Sequence, residues 1–154
     1  METKLTSQQK GRCGELLAQY MLLKHGIESA PLTTDTGIDL VAYPRTARSD
    51  WPADKPVTIQ VKTSSLRGKE ERWLEFNLSY DSPADYICAI DLERNKLWIF
   101  TLKSFKAKAK HAGKGNLRLW WSPPGDDYPD APRHEDEFLA YEMDDGIRNA
   151  FGSV

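Results

Sequence analysis

Three short segments in a set order constrain this chain more than any other feature: Gly14-Glu15-Leu16-Leu17-Ala18, Gly37-Ile38-Asp39-Leu40 and Ile59-Gln60-Val61-Lys62-Thr63. The first lies in a stretch with helical spacing. The other two lie where apolar and polar residues alternate as in strands. Gln60 and Lys62 are separated by one residue, so a strand projects both from the same face. Consecutive strands are usually neighbours, which brings Asp39 beside Gln60. The expectation is that the carboxylates of Glu15 and Asp39, the Gln60 amide and the Lys62 ammonium converge on one side of a sheet. Oxygen donors of that kind suit Mg²⁺, and a lysine beside them suits a phosphate or an attacking water. This is the equipment of a metal-dependent phosphodiesterase.

The rest of the chain supplies a scaffold for these segments. A helix is expected over Ser7–His25, with Ser7 as N-cap and Gly26 as stop. Its main apolar stripe reads Cys13, Leu16, Leu17, Tyr20 and Met21. Glu15 falls on a second ridge with Gly11, Ala18 and Leu22, where small neighbours let another element come close. A short extended piece at Ile27–Ala30 and a polar loop to Gly37 lead into a strand at Ile38–Tyr43, with Ile38, Leu40 and Ala42 on one face. Pro44, Pro52 and Pro56 break the following connection. Further strands are expected at Val57–Thr63 and Trp73–Ser79, around a polar turn at 67–71. A hairpin joins Asp85–Asp91 to Lys96–Thr101. Ser104–Lys110 has partial helical character, prolines from Pro123 to Pro132 mark an irregular excursion, and a last helix at about Glu135–Phe151 is interrupted near Gly146. No repeat or interdomain linker is found. Residues 1–154 therefore read as a single α/β domain, a mixed β-sheet flanked by helices. Its core lies at about 8–102, followed by a basic stretch at 103–118 and an acidic C-terminal region at 126–145.

Composition excludes several classes. Forty per cent hydrophobic residues with five Trp, six Tyr and five Phe suit a packed core, not disorder. No apolar run approaches the ~20 residues of a membrane span, and Met1-Glu2-Thr3-Lys4 opens no signal peptide. Cys13 and Cys88 are too few for a disulfide framework or a zinc site, and both read as core. His25, His111 and His134 are poorly spaced for a metal triad. A soluble protein of a reducing cytoplasm is expected.

The net charge of −2 is unevenly spread. Residues 103–118 carry Lys103, Lys106, Lys108, Lys110, Lys114 and Arg118 without an acid, while 126–145 carry nine acids and one Arg. A phosphate backbone responds to the local basic stretch, so these six residues are candidate nucleic-acid contacts. Trp120 and Trp121, at its end, are candidates for stacking on bases. A solvated basic face offset by a solvated acidic one is the alternative, and charge alone does not decide. Trp73 and Trp98 read as core.

Together, the Gly-Glu-Leu helix, the Gly-Ile-Asp strand and the Gln-Val-Lys strand resemble the PD-(D/E)XK nuclease superfamily. More narrowly, they are similar to small bacterial members with Gln-x-Lys in place of Glu-x-Lys. Ser82-Pro83-Ala84-Asp85-Tyr86-Ile87 leading to Leu97-Trp98-Ile99-Phe100 resembles how those proteins continue, so the likeness covers about 8–102. The resemblance implies Mg²⁺ (or Mn²⁺) bound by Asp39, Gln60 and the backbone carbonyl of Val61, with Glu15 acting on it directly or through water. It implies that Lys62 positions the attacking water and offsets transition-state charge. The implied activity is metal-dependent DNA endonuclease, with DNA as partner and no membrane. Two other readings stand beside it: a catalytically inactive nucleic-acid- or protein-binding domain on the same fold, and a homodimer or partner-dependent subunit whose acidic C-terminal region contacts another protein.

Overall fold

The computed structural model describes residues 4–34, 36–44, 55–64, 73–125 and 133–152. Asp35, Pro52, the turn expected at 67–71 and residues 126–132 of the acidic region lie outside the described residues.

The first helix, α1, spans Ser7–Lys24. Its N-cap is Thr6, not Ser7. The Thr6 hydroxyl accepts from the Gln9 N–H, and the Gln9 side chain accepts from the Thr6 N–H. From Ser7, the corresponding third residue would be Lys10, which has no acceptor to close such a box. Gly26, at φ +72°, ends the helix as expected. The buried face differs from the expected stripe: Gly14, Ala18, Met21 and Leu22 are buried, while Leu16 and Tyr20 are 51% and 60% exposed. The cause is close approach. A Cβ on Gly14 would collide with Thr63 Oγ1, so only glycine lets the helix backbone lie this near the sheet. Cys13 is half-buried, outside the core, whereas Cys88 is fully buried and its thiol is pushed up to about 12 by that burial.

Strands β1 (Glu28–Pro31), β2 (Leu40–Tyr43), β3 (Val57–Ser64), β4 (Leu74–Ser79), β5 (Tyr86–Asp91) and β6 (Lys96–Thr101) follow. Helix α2 (Leu102–Lys108), strands β7 (Lys110–His111) and β8 (Asn116–Trp121), a 3-10 helix (Glu135–Tyr141) and helix α3 (Met143–Phe151) complete the described chain. One sheet has the order β1-β2-β3-β5-β6, antiparallel except for the parallel β3–β5 pair. The other has the order β4-β8-β7. The fold is thus mixed α/β, its sheets flanked by helices.

Alternation along the strands separates two apolar layers. Leu40, Ala42, Val57, Ile59, Cys88 and Ile90 face α1 and α3, meeting Ala18, Met21, Leu22, Ile147 and Phe151. Ile87, Ala89, Trp98 and Phe100 face the second sheet, meeting Leu74, Phe76, Leu78, Leu117, Leu119 and Trp121, with Phe105 of α2 and Phe138 of the 3-10 helix. With both faces covered, all six residues of β5 are buried. Ile38 does not join Leu40 and Ala42 as expected but packs in the second layer, because the regular strand begins only at Leu40. Strand β8 is an addition to the expected elements. Its Leu117, Leu119 and Trp121 point inward, so Trp121 is core and not a base-stacking surface, while Trp98 is core as expected.

The C-terminal segment wraps the β6 edge, joined to it by a backbone bridge between Trp98 and Glu142. The break in the last helix falls at Glu142, not Gly146. Gly146 lies inside α3 because a Cβ there would strike the Tyr141 carbonyl, and glycine lets the two helices meet. Some of the described acids of this region turn inward, while Asp136, Glu137 and Asp145 are exposed. Glu135, 3% exposed, binds Arg94 and Lys96, and Glu142 also binds Lys96. Asp91 binds Arg94, and Asp144 reaches His25 at 2.7 Å. Burial works against charge on Glu135, but the hydrogen bonds of Arg94 and Lys96 outweigh it and hold its carboxyl below the ordinary value. Among the described residues, no helix is long and apolar enough to cross a membrane.

Candidate active site

Asp39 stands just before β2 and is held by hydrogen bonds of its backbone and its side chain. Its N–H donates to the Ile59 carbonyl (2.9 Å), its carbonyl accepts from the Leu32 N–H (3.0 Å), and its Oδ2 accepts from the Val61 N–H (2.6 Å). The side chain thereby extends the β2–β3 ladder by one rung. In a strand, a residue's N–H and C=O project to the same side. The Val61 carbonyl is therefore directed toward the edge of β3 where the Asp39 carboxylate lies.

Gln60 and Lys62 leave the face of β3 that looks toward the second sheet, opposite Ile87 and Ala89 in register. Together they line an open pocket of ≈ 460 Å³ with Asn77 and Ser79 of β4, Ala112, and Asn116 of β8. Among the described residues nothing pairs with the Lys62 ammonium. The Gln60 Oε1 accepts from Ser82 Oγ at 2.8 Å, and Ser82 Oγ in turn accepts from the Ala84 N–H. Ser82 is buried and so orients the amide.

Glu15 is placed differently. It lies on α1, which covers the opposite face of the sheet near the Thr63 end of β3, and its carboxylate pairs with Arg12 at 2.8 Å. The structure thus brings Gln60 and Lys62 into one pocket and ties Asp39 to the residue between them, while Glu15 stands across β3. Among the described residues, no three of His, Cys, Asp and Glu gather as a metal cluster. Asp39, Gln60 and Val61 offer one carboxylate, one amide oxygen and one backbone carbonyl, oxygen donors of the kind that a hard divalent ion takes.

The six basic residues do not form one face. Lys103 and Lys114 are exposed, and Lys114 lies in the tight turn between Ala112 and Asn116 at the pocket. Lys106 lies 4.4 Å from the Tyr80 ring, which stacks on His111. Lys110 and Arg118 flank Trp120, at 5.6 and 4.4 Å, on the outer face of the second sheet. Lys108 turns the other way, toward Phe138 and Tyr141. Sequence reasoning missed Asn77, Ser79, Tyr80, Ser82 and Asn116. Only the outward positions of Asn77 and Ser79 on an alternating strand could have signalled any of them.

The architecture described above is one that a nuclease of known structure uses. That structure is a bacterial homing endonuclease, I-Ssp6803I, which is 16% identical and superposes with a TM-score of 0.67 over 97% of this chain and 95% of that one. At this identity the likeness is one of fold. No protein-family model matches the sequence, and no curated protein matches it either.

Proposed function

We propose that this protein is a metal-dependent DNA endonuclease of the PD-(D/E)XK type. The observation that carries the reading is the pairing of Asp39 Oδ2 with the Val61 N–H, which holds a carboxylate at the β3 edge between Gln60 and Lys62. The full-length likeness in fold to a homing endonuclease supports it.

On this reading Asp39, the Gln60 oxygen and the Val61 carbonyl hold Mg²⁺ or Mn²⁺, with Glu15 acting through water across the edge of β3. A divalent ion bound there supplies Lewis-acid polarisation of the phosphate and a more acidic water. Lys62 donates hydrogen bonds to that water or to the phosphate oxygens, and its charge offsets the negative charge that builds as the water oxygen adds to phosphorus. The bond from phosphorus to the leaving ester oxygen breaks; the attacking water gives up one proton to solvent, and the leaving oxygen takes one from solvent. Ser82 acts on Gln60 alone, keeping its oxygen oriented. Lys103, Lys106, Lys110, Lys114 and Arg118 supply backbone affinity.

A catalytically silent DNA-binding domain is the second reading, favoured by Glu15 being paired with Arg12 and by Asp39 being the one carboxylate in the group. Nicking or cutting of DNA that needs Mg²⁺ or Mn²⁺ and is lost in Lys62→Ala separates the two.

A further inference from the structure

The geometry points to a seat for an unpaired nucleotide beside the cleaved phosphate, formed by the Lys62 pocket and the Tyr80–His111 ring pair at its rim. This deepens the nuclease reading and rests on it. The pocket volume falls in the range that holds small organic ligands, roughly 300–1,000 Å³. Its polar lining is mainly amide: Asn77 and Asn116 offer donors and acceptors and Gln60, whose oxygen is held by Ser82, offers its NH₂, the complement of a base edge. Ser79 pairs with Asn116, and the next residue, Tyr80, donates its N–H to the Gly115 carbonyl, which fastens Tyr80 to the pocket rim.

Tyr80 is 47% exposed, large and aromatic, and its ring stacks on His111 at 5.8 Å and 25°. Lys106 covers it from 4.4 Å. A flexible lysine over an exposed ring is readily displaced by a flat base, and every base has a π-face that stacks. The displaced ammonium is then released to the neighbouring phosphate. A base paired inside a duplex is already stacked and cannot enter, so the seat selects single-stranded or unpaired DNA.

The test uses the full chain in EDTA, with a labelled mixed-sequence DNA oligonucleotide and the same oligonucleotide annealed to its complement. Tyr80→Ala should weaken binding of the single strand about tenfold and leave duplex binding within about twofold, while Tyr80→Phe keeps wild-type affinity for both. If Tyr80→Ala does not fold, His111→Ala replaces it, with the same selective loss expected. Equal losses on both forms, or no loss on either, overturn the seat. Selective single-strand binding without cleavage in Mg²⁺ or Mn²⁺ leaves the seat standing and removes the nuclease reading. Failure to bind DNA of either form overturns the seat, while cleavage in Mg²⁺ or Mn²⁺ decides the nuclease reading separately.

Discussion

The Val61 N–H donates to Asp39 Oδ2 at 2.6 Å, at the point where the β2–β3 ladder ends. A carboxylate held in this way has both a structural and a chemical duty, and substitutions separate them. Asp39→Asn keeps an acceptor for Val61 and should stay within about 1 kcal/mol of the parent in urea denaturation. Asp39→Ala leaves the amide unpaired and should lose about 1–3 kcal/mol. On the nuclease reading both variants lose cleavage. An active Asp39→Asn protein would remove Asp39 from metal binding.

Gln60→Glu adds a charge beside a dication. Titration with Mn²⁺ by calorimetry should give tighter binding than the parent, with cleavage retained. Weaker binding in a folded variant would argue against ligation at Gln60.

Close approach of α1 to β3 depends on Gly14. Gly14→Ala should destabilise by about 1–3 kcal/mol through its collision with the Thr63 hydroxyl. Thr63→Ala in the same chain should recover part of that loss. A double-mutant cycle with no coupling would show that the helix simply shifts.

Glu135 gives the fold a predictable acid limb. Its folded pKa lies below the unfolded value near 4.5, so its contribution is complete above that value and is lost as pH falls through the lower, folded one. Lys96 works in the opposite sense. Its pKa is raised even though burial pulls it down, because the bonds to Glu142 and Glu135 prevail. Its contribution therefore holds below 10.5 and fades in stronger base. Glu135→Gln should lower stability at neutral pH by about 1–2 kcal/mol, because Arg94 and Lys96 are partly exposed and keep Asp91 and Glu142 as partners, and should flatten the decline below pH 4.5. Unchanged acid denaturation curves would contradict this.

Much of the scaffold was legible in the sequence. Alternation at Val57–Thr63 was enough to place Gln60 and Lys62 on one face, and pairing of neighbouring strands was enough to bring Asp39 to the same strand edge. The true contact face of α1 was not legible from hydrophobicity, because Gly14 acts by its lack of a side chain and Leu16 is simply exposed. Strand β8 is masked by charge: Arg118 within it and Lys114 in the preceding turn equally fit a phosphate-binding stretch, although Leu117, Leu119 and Trp121 alternate as a strand should. The Tyr80–His111 stack and the Ser82–Gln60 hydrogen bond join residues distant in sequence, and no local pattern announces such contacts.

The basic stretch carries its own test. Lys106→Glu with Lys110→Glu should lower the log–log salt slope of DNA binding by about two, one for each phosphate left without its lysine. Lys108→Glu should instead act mainly on stability, since Lys108 lies over Phe138 and Tyr141.

The most direct measurement is a cleavage assay on single-stranded, branched and duplex DNA, in Mg²⁺, in Mn²⁺ and in EDTA, comparing the parent chain with Lys62→Ala. The account predicts metal-dependent cleavage by the parent, strongest on DNA with unpaired nucleotides, and none by a Lys62→Ala protein of unchanged melting temperature. Cleavage that persists in Lys62→Ala, or its absence on every DNA form with either metal, would contradict the central claim.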